Sequence, residues 1–211
     1  MHKYLKMEIL EVLTMPDIEK IHKSLQEHKI SESFINQIMD GKKEKYSKKN
    51  EKASFITLII NRIDNLFDSE TCKQIIDWCA CCKGGSREKD IKKFVKENKE
   101  KSLAEKIEGL SKVQNMGNPK LNEDGTISTG IFWGDENGYK CPCPCFNGVE
   151  LKEPVSITYC YCCAGHFRYH YQNALGLKLK TKEVVSSVLN SLGKKPCQFV
   201  YEIDNKQEIC G

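Results

Sequence analysis

Long hydrophobic runs are absent from this chain of 211 residues, in which the longest apolar stretch is Phe55–Ile60. A helix that crosses a bilayer needs about 20 such residues, so no membrane-spanning segment is expected. Residues 1–13 also lack an apolar segment followed by a small-residue cleavage site, which is the signature of a secretory signal. These two absences predict a cytoplasmic protein without a membrane partner.

A large excess of charge of one sign is absent too. The chain has 33 Lys and Arg residues against 29 Asp and Glu residues, and its net charge is +4. The densest basic stretch, Lys42–Lys52, contains no arginine, and we interpret it as a solvated segment. Nucleic acid, which selects strongly basic surfaces with stacking side chains, is therefore not an expected partner.

Familiar nucleotide-binding and acyl-transfer motifs are missing. Gly84-Gly85-Ser86 precedes a predicted helix but lacks the spacing of a P-loop or a dinucleotide-binding loop. The chain has no G-x-S-x-G sequence, so it has no serine nucleophile elbow of that type. Function has to be sought in another feature.

Cysteine is that feature, because the chain has 12 cysteines and six of them fall within Cys141–Cys163. A reducing cytoplasm disfavours a disulfide framework. Metal ligation and thiol chemistry are the remaining explanations for such a dense group, alongside simple packing. Cys72, Cys197 and Cys210 stand apart from it, and we interpret them as inert core thiols.

The densest part of this group is the C-P-C-P-C segment, Cys141–Cys145. Its two prolines disfavour a helix and hold the backbone extended. Side chains two residues apart in an extended segment point to the same face, so Cys141, Cys143 and Cys145 are expected on one side. Zinc is bound well by thiolates presented in this way.

Two further pairs of cysteines extend the candidate metal site. The pattern at Val155–Tyr161 alternates enough to predict a strand. Residues two apart in an extended backbone point to the same face, so Cys160 and Cys162 can aim both thiols at one ion. Cys79 and Cys82 have the C-x-x-C spacing of zinc and redox sites, and would tie the helical half to the later cysteines. An iron–sulfur cluster is less favoured than zinc, because no Cys-x-x-Cys-x-x-Cys run is present. The candidate metal ligands are Cys79, Cys82, Cys141, Cys143, Cys145, Cys160 and Cys162.

Candidate catalytic and ligand-binding residues lie close to these cysteines in the sequence. His166 is a ligand, a general base or a hydrogen-bonded structural residue, and Glu183 is an acid–base candidate or an exposed strand residue. The aromatic residues Tyr161, Phe167 and Tyr171 are candidates for lining a small-molecule pocket. The same three side chains also suit an ordinary core.

The pattern of apolar residues divides the chain into two parts. Residues 1–116 are predicted to be helical, and residues 117–211 to form a cysteine-rich α+β domain with an antiparallel sheet and a packed helix. Asp124-Gly125 predicts a hairpin, Ser102 with Glu105 predicts a capping box, and Glu183–Leu192 is ambiguous between strand and helix. The predicted helices include Lys52–Phe67, Ser86–Lys99 and Ala164–Leu175, and the predicted last strand is Cys197–Ile203.

The C-terminal third of the chain resembles known sequences. The run Y-C-Y-C-C-A-G-H-F-R-Y-H-Y-Q-N-A-L-G at Tyr159–Gly176 and G-K-K-P-C-Q-F-V-Y-E-I at Gly193–Ile203 resemble uncharacterised cysteine-rich bacterial proteins. More distantly, the region is similar to 4-vinyl-reductase-type domains and to the L-2-amino-thiazoline-4-carboxylate hydrolase family. The resemblance implies an α+β domain with a ligand cavity and zinc held by cysteines.

Carried over residue by residue, the resemblance matches the cysteines at 141, 143, 145, 160 and 162 and treats Cys197 as structural. Cys163 and His166 stand where small or aromatic residues are more usual, so a role for them is specific to this protein or absent. The leading hypothesis is a zinc-binding protein with a small-molecule-binding, sensor-like domain. The alternatives are a zinc-dependent hydrolase of a small C–N bond substrate and a thiol redox or soft-metal-binding protein.

Overall fold

The computed structural model of the chain describes residues 17–80 and 86–204. Cys82 and the Gly84-Gly85 pair lie outside the described residues. Helices dominate the first half of the described chain, and one long helix follows later. Their bounds are α1 (Ile18–Glu27), α2 (Glu32–Met39), α3 (Lys49–Leu66), α4 (Ser69–Trp78), α5 (Ser86–Glu97), α6 (Leu103–Ser111) and α7 (Tyr161–Leu175).

Polar side chains start several of these helices at the residues that the sequence indicates. Asp68 caps α4 by accepting hydrogen bonds from the backbone N–H groups of Glu70 and Thr71. Ser102 and Glu105 form the predicted capping box, in which each side chain accepts from the other residue's backbone N–H. These bonds pair N–H groups that a helix leaves without a partner in its first turn.

A four-stranded antiparallel sheet in the order β1-β2-β6-β5 forms the other layer. Asp124 and Gly125 make the predicted turn between β1 and β2, since Asp124 Oδ1 accepts from Thr126 N at 3.0 Å and Gly125 has a φ of +79°. The last strand has the predicted bounds. The strands are β1 (Lys120–Leu121), β2 (Ile127–Ile131), β5 (Leu179–Ser186) and β6 (Cys197–Ile203), and a separate hairpin pairs β3 (Gly134–Asp135) with β4 (Gly138–Tyr139).

Aromatic side chains join α7 to the sheet. The rings of Phe167 and Phe199 lie 6.0 Å apart, and those of Tyr171 and Tyr201 lie 5.9 Å apart. Tyr201 also donates a hydrogen bond of 2.8 Å to the carbonyl oxygen of Ala164. A helix packed on an antiparallel sheet beside a helical half confirms the predicted α+β class.

The opposite side of α7 packs against α4 at a glycine. A Cβ added to Gly165 would lie 2.9 Å from the backbone oxygen of Asp77 and 3.0 Å from Ala80 Cβ. Arg168, one turn later, forms an ion pair with the Asp77 carboxylate. Buried side chains on both sides of the predicted boundary near Met116 belong to one hydrophobic core. The division into two domains stays a prediction.

Two local predictions after the cysteine-rich segment need correction or completion. The predicted strand at Val155–Tyr161 is wrong, because Ile157–Cys160 is a 3-10 helix that runs directly into α7. Ser156 starts this turn by accepting a hydrogen bond from Thr158 N at 3.3 Å. The ambiguous segment that begins at Glu183 continues β5 only to Ser186 and then turns, with no α-helix.

Candidate functional site

The C-P-C-P-C segment turns its cysteines inward and its prolines outward. Cys143 and Cys145 are 6% and 8% exposed, whereas Pro142 and Pro144 are exposed. The backbone is not extended throughout, because the Cys143 carbonyl accepts from Asn147 N at 2.7 Å and so closes a turn. Proline at the second position suits such a turn, since its φ is fixed near the required value. The expected extended conformation is therefore wrong for the second half of the segment.

The start of α7 supplies a second pair of thiols, but a different pair from the predicted one. In a helix, residues three or four apart share a face and residues two apart do not. Cys160 and Cys163 therefore lie on a common face, and Cys162 points elsewhere. Cys162 is 1% exposed. Its thiolate form would repel an ionised Tyr159, and this adds to the effects of burial and Cys143 that raise the pKa of Tyr159.

Five cysteines from three separate segments lie close enough to influence one another. Burial raises the pKa of Cys163, and repulsion from the thiolate forms of four other cysteines raises it further. The pKa values of Cys160 and Cys141 are likewise raised by burial first, with neighbouring thiols adding to the effect. We call this group the thiol cluster, and its members are Cys141, Cys143, Cys160, Cys163 and Cys197.

Cys143 differs from the other members of the thiol cluster. A hydrogen bond from the Cys145 side chain lowers the pKa of Cys143 to about 6, against the effect of burial. The Tyr159 hydroxyl, 3.2 Å from Cys143 Sγ, adds a second hydrogen bond in the same direction. The same contact raises the pKa of Cys145, which keeps its proton. Cys143 is therefore the member of the thiol cluster that loses its proton most readily.

Sequence reasoning did not place two members of the thiol cluster among the candidate metal ligands. Cys163 was given a role specific to this protein or none, because a period of two, rather than 3.6, was assigned to the segment before α7 and paired Cys160 with Cys162. Cys197 was interpreted as an inert core thiol, and it is indeed 3% exposed. Its Sγ accepts from Val188 N at 3.5 Å, and repulsion from Cys143 contributes to its raised pKa after burial. For Cys163 a signal was available, because it follows Cys160 by three residues and such a spacing places both thiols on one face of a helix.

The predicted connection through Cys79 is not formed among the described residues. The Cys79 thiol donates toward the carbonyl oxygens of Lys20 at 3.6 Å and Ile75 at 3.4 Å. Burial is the main cause that raises the pKa of Cys79 to about 12, and the side chains that modify it belong to α1 and α4, not to the thiol cluster. Its partner in the C-x-x-C spacing, Cys82, lies outside the described residues.

A ready-made metal site is not present in the described part of the chain. Across residues 17–80 and 86–204, no group of three or more His, Cys, Asp or Glu side chains is arranged as metal ligands. The thiol cluster does not form such a group as it stands.

Two cavities flank the C-P-C-P-C segment. One, of about 700 Å³, is bordered by Cys141 and by apolar side chains that include Leu189 and Leu192. The other, of about 780 Å³, is bordered by Pro142 and Arg87, and we call it the Arg87 cavity. Such volumes are typical of small-molecule sites. Both cavities lie beside the thiol cluster.

One of the three predicted pocket residues borders the Arg87 cavity. Phe167 lines it. Tyr171 is instead fully buried and donates a hydrogen bond of 2.5 Å to the Met116 carbonyl oxygen. Tyr161 lies under Lys73, whose Nζ is 5.8 Å from the ring centre. Sequence reasoning missed Arg87 and the neighbouring Trp133, which reach the cavity from distant segments.

The two candidate proton carriers lie in different surroundings. His166 is 4% exposed and its Nε2 contacts the Arg87 guanidinium. An arginine only donates hydrogen bonds, so His166 accepts and its Nε2 carries no proton. Glu183 is exposed on β5, where it is paired with Val200, and lines neither cavity.

Comparison with protein families matches residues 15–209 to a family of unknown function, DUF6144. The chain belongs to this family. The match confirms the predicted uncharacterised family and does not extend to the reductase-type or hydrolase families. No curated protein and no solved structure matches this DUF6144 chain. Among its described residues, no helix combines the length and apolar character that crossing a membrane requires.

Proposed function

We propose that this DUF6144 protein binds one thiophilic metal ion, zinc in the first instance, through thiolates of the thiol cluster. The observation that carries the proposal is that three segments far apart in sequence bring thiols to one region. Cys143, Cys160 and Cys197 are buried in the core, and the half-buried Cys141 and Cys163 pack against it. Zinc in structural sites takes four ligands and is commonly held by cysteine alone. The thiol cluster offers five.

The arrangement of the thiols without metal suits a site whose ligand set is completed only when the ion binds. The thiols are neighbours but do not yet form such a ligand set. Rotation of cysteine side chains would complete the ligand set, and the protonated thiols would release their protons. Cys143, whose pKa is lowered by its hydrogen bonds, would ionise first and make the first bond. The ion would then connect three segments that are far apart in sequence.

A closed set of four thiolates makes the proposed ion structural. An ion without an open position does not bind and activate water, so the hydrolase alternative needs a site with fewer protein ligands. The two residues suggested for proton transfer also do not support it, because Glu183 is exposed on β5 while His166 accepts from Arg87. Thiol redox chemistry would leave the protein metal-free and its thiols oxidisable.

The metal content of untagged, anaerobically purified protein tests the proposal. Elemental mass spectrometry is expected to find about one zinc per chain, and at least four of the 12 cysteines should react with a thiol reagent only after chelation. Protein without metal, whose thiols react equally before and after chelation and whose metal-free form takes up no zinc, would contradict the proposal.

Zinc binding is expected to release protons at pH 7, because zinc binds thiolates and burial raises the pKa values of Cys141, Cys160 and Cys163. The affinity for zinc should therefore rise steeply as the pH is raised from 6.5 to 8. Isothermal titration calorimetry in two buffers of different ionisation enthalpy measures the number of protons released. Binding with no proton release would argue against thiolate ligands. Cys72→Ser, which changes a thiol outside the thiol cluster, should leave the number unchanged.

A further inference from the structure

The floor of the Arg87 cavity is formed by glycines that let other groups approach closely. A Cβ at Gly117 would lie 2.6 Å from Thr129 Oγ1, and Gly117 has a φ of +69°. A Cβ at Gly130 would lie 2.9 Å from two ring carbons of Phe132, so this ring lies directly over the strand. Both glycines therefore shape the cavity and support one of its walls.

Aromatic rings form the apolar walls of the cavity. Phe132 is 55% exposed and Trp133 is 46% exposed, although such large apolar side chains are usually buried. Phe167 lines the cavity as well and continues into the core of α7 and the sheet. Neighbouring exposed rings that border one concave surface suit a flat apolar ligand, which would cover them from water.

Arg87 gives the cavity a positive charge in a fixed position. Its Nη1 donates to the buried ring of His166, which holds the guanidinium in place. Its Nε is buried, and no described group accepts a hydrogen bond from it. Among the described residues that line the cavity there is no Asp or Glu to pair with the guanidinium. An anionic ligand oxygen in the cavity would accept charge-assisted hydrogen bonds from the guanidinium, and such bonds are stronger than those between neutral groups.

We infer that the Arg87 cavity binds a small molecule with a flat apolar ring and one anionic group, such as an aromatic carboxylate. The anionic group pairs with Arg87, and the ring lies against Trp133 and Phe132. Asn115 and Asn118 supply further hydrogen bonds at the edge of the cavity. The inference is independent of metal binding, since none of these residues belongs to the thiol cluster.

Binding of 1-naphthoate and of its neutral analogue 1-naphthamide to the full chain tests this inference. Isothermal titration calorimetry is expected to give a Kd at least roughly ten-fold lower for the carboxylate, because only it forms a charge-assisted bond with the guanidinium. Arg87→Gln should remove this preference and leave the weak binding of the amide. Lys93→Gln removes the same charge from an exposed position on α5 and should keep the preference.

Trp133→Ala provides a second variant that does not depend on the contact between Arg87 and His166. Trp133 is half-exposed, so the variant is expected to fold, and it should bind both compounds roughly ten-fold more weakly through loss of ring contact. Equal affinity of the two compounds, no binding of either at millimolar concentration, or full affinity in Trp133→Ala would overturn the inference. None of these results would bear on zinc binding.

Discussion

Zinc added to the reduced, metal-free chain is expected to raise its Tm by about 8–16 °C. A ligand present at 1,000 times its Kd stabilises the folded state by about 4 kcal/mol. For a chain of this size, each kcal/mol shifts the Tm by about 2–4 °C. Scanning calorimetry at buffered free zinc concentrations measures the shift. A Tm that does not depend on zinc would contradict the proposed metal site.

Replacing Cys160, which directly precedes α7, and Cys163, in its first turn, should remove most of this shift. The double variant Cys160→Ser with Cys163→Ser takes both thiols of one segment away, so a remaining ion no longer connects α7 to β6. Serine is close to cysteine in size but is not a ligand that zinc sites commonly use. The expected zinc-dependent rise in Tm is less than half of that in the unchanged chain.

The matched control changes two buried cysteines outside the thiol cluster, Cys72→Ser with Cys79→Ser. Cys72 donates toward the Ile63 carbonyl at 3.5 Å, and Cys79 lies between α1 and α4. The control lowers the starting Tm through its own lost packing but should keep the full zinc-dependent rise. The same loss of zinc response in both double variants would mean that the thiol cluster is not the binding site.

The sequence predicts the elements well where local chemistry decides them. Side chains that pair the first N–H groups of a helix, such as Asp68 and Ser102, can be recognised without knowing the fold. The Asp124-Gly125 turn is also local, since glycine accepts the positive φ that its position requires. Together with the apolar pattern they were sufficient for the α+β class, for the bounds of the last strand and for the predicted helices to within about three residues at each end.

The segment before α7 was mispredicted because its residues fit two periods. In Tyr159–Cys163 apolar side chains follow one another without a polar residue, so an alternating pattern and a helical one are equally available. Packing against α4 and the sheet decides between them, and the sequence pattern does not contain that information. The error mattered for the site because it paired Cys160 with Cys162 in place of Cys163.

Side chains that come from distant segments were the hardest to foresee. Arg87 and Trp133 border one cavity although they lie far apart in sequence, and α5 reaches this region by packing beside α7. Neither residue belongs to a motif, and an exposed arginine near a helix start is common. Phe167 was found because the cysteine-rich segment directs attention to its own helix. The cavity could be predicted only by knowing how the helices and strands pack against one another.

Gly165→Ala is expected to lower the free energy of unfolding by about 2 kcal/mol. The added Cβ would lie 2.9 Å from a backbone oxygen and 3.0 Å from a carboxylate oxygen, both of Asp77, so α4 and α7 would have to separate. Overpacking of this kind costs about 1–3 kcal/mol, which outweighs the intrinsic helix preference of alanine over glycine. Denaturant unfolding of the zinc-free protein measures the difference.

Gly109→Ala is the control for this change, because it adds the same methyl group to another helix, in the last turn of α6. Its Cβ would meet the Phe94 ring at 3.0 Å, and a side chain moves aside more easily than a backbone. We expect a change within about 0.5 kcal/mol, since the gain in helix propensity offsets the small displacement. Equal destabilisation by the two variants would refute the argument from close helix packing. Gly165 follows Cys163 by two residues, so a zinc response reduced in Gly165→Ala alone would indicate that this contact also positions the thiols of α7.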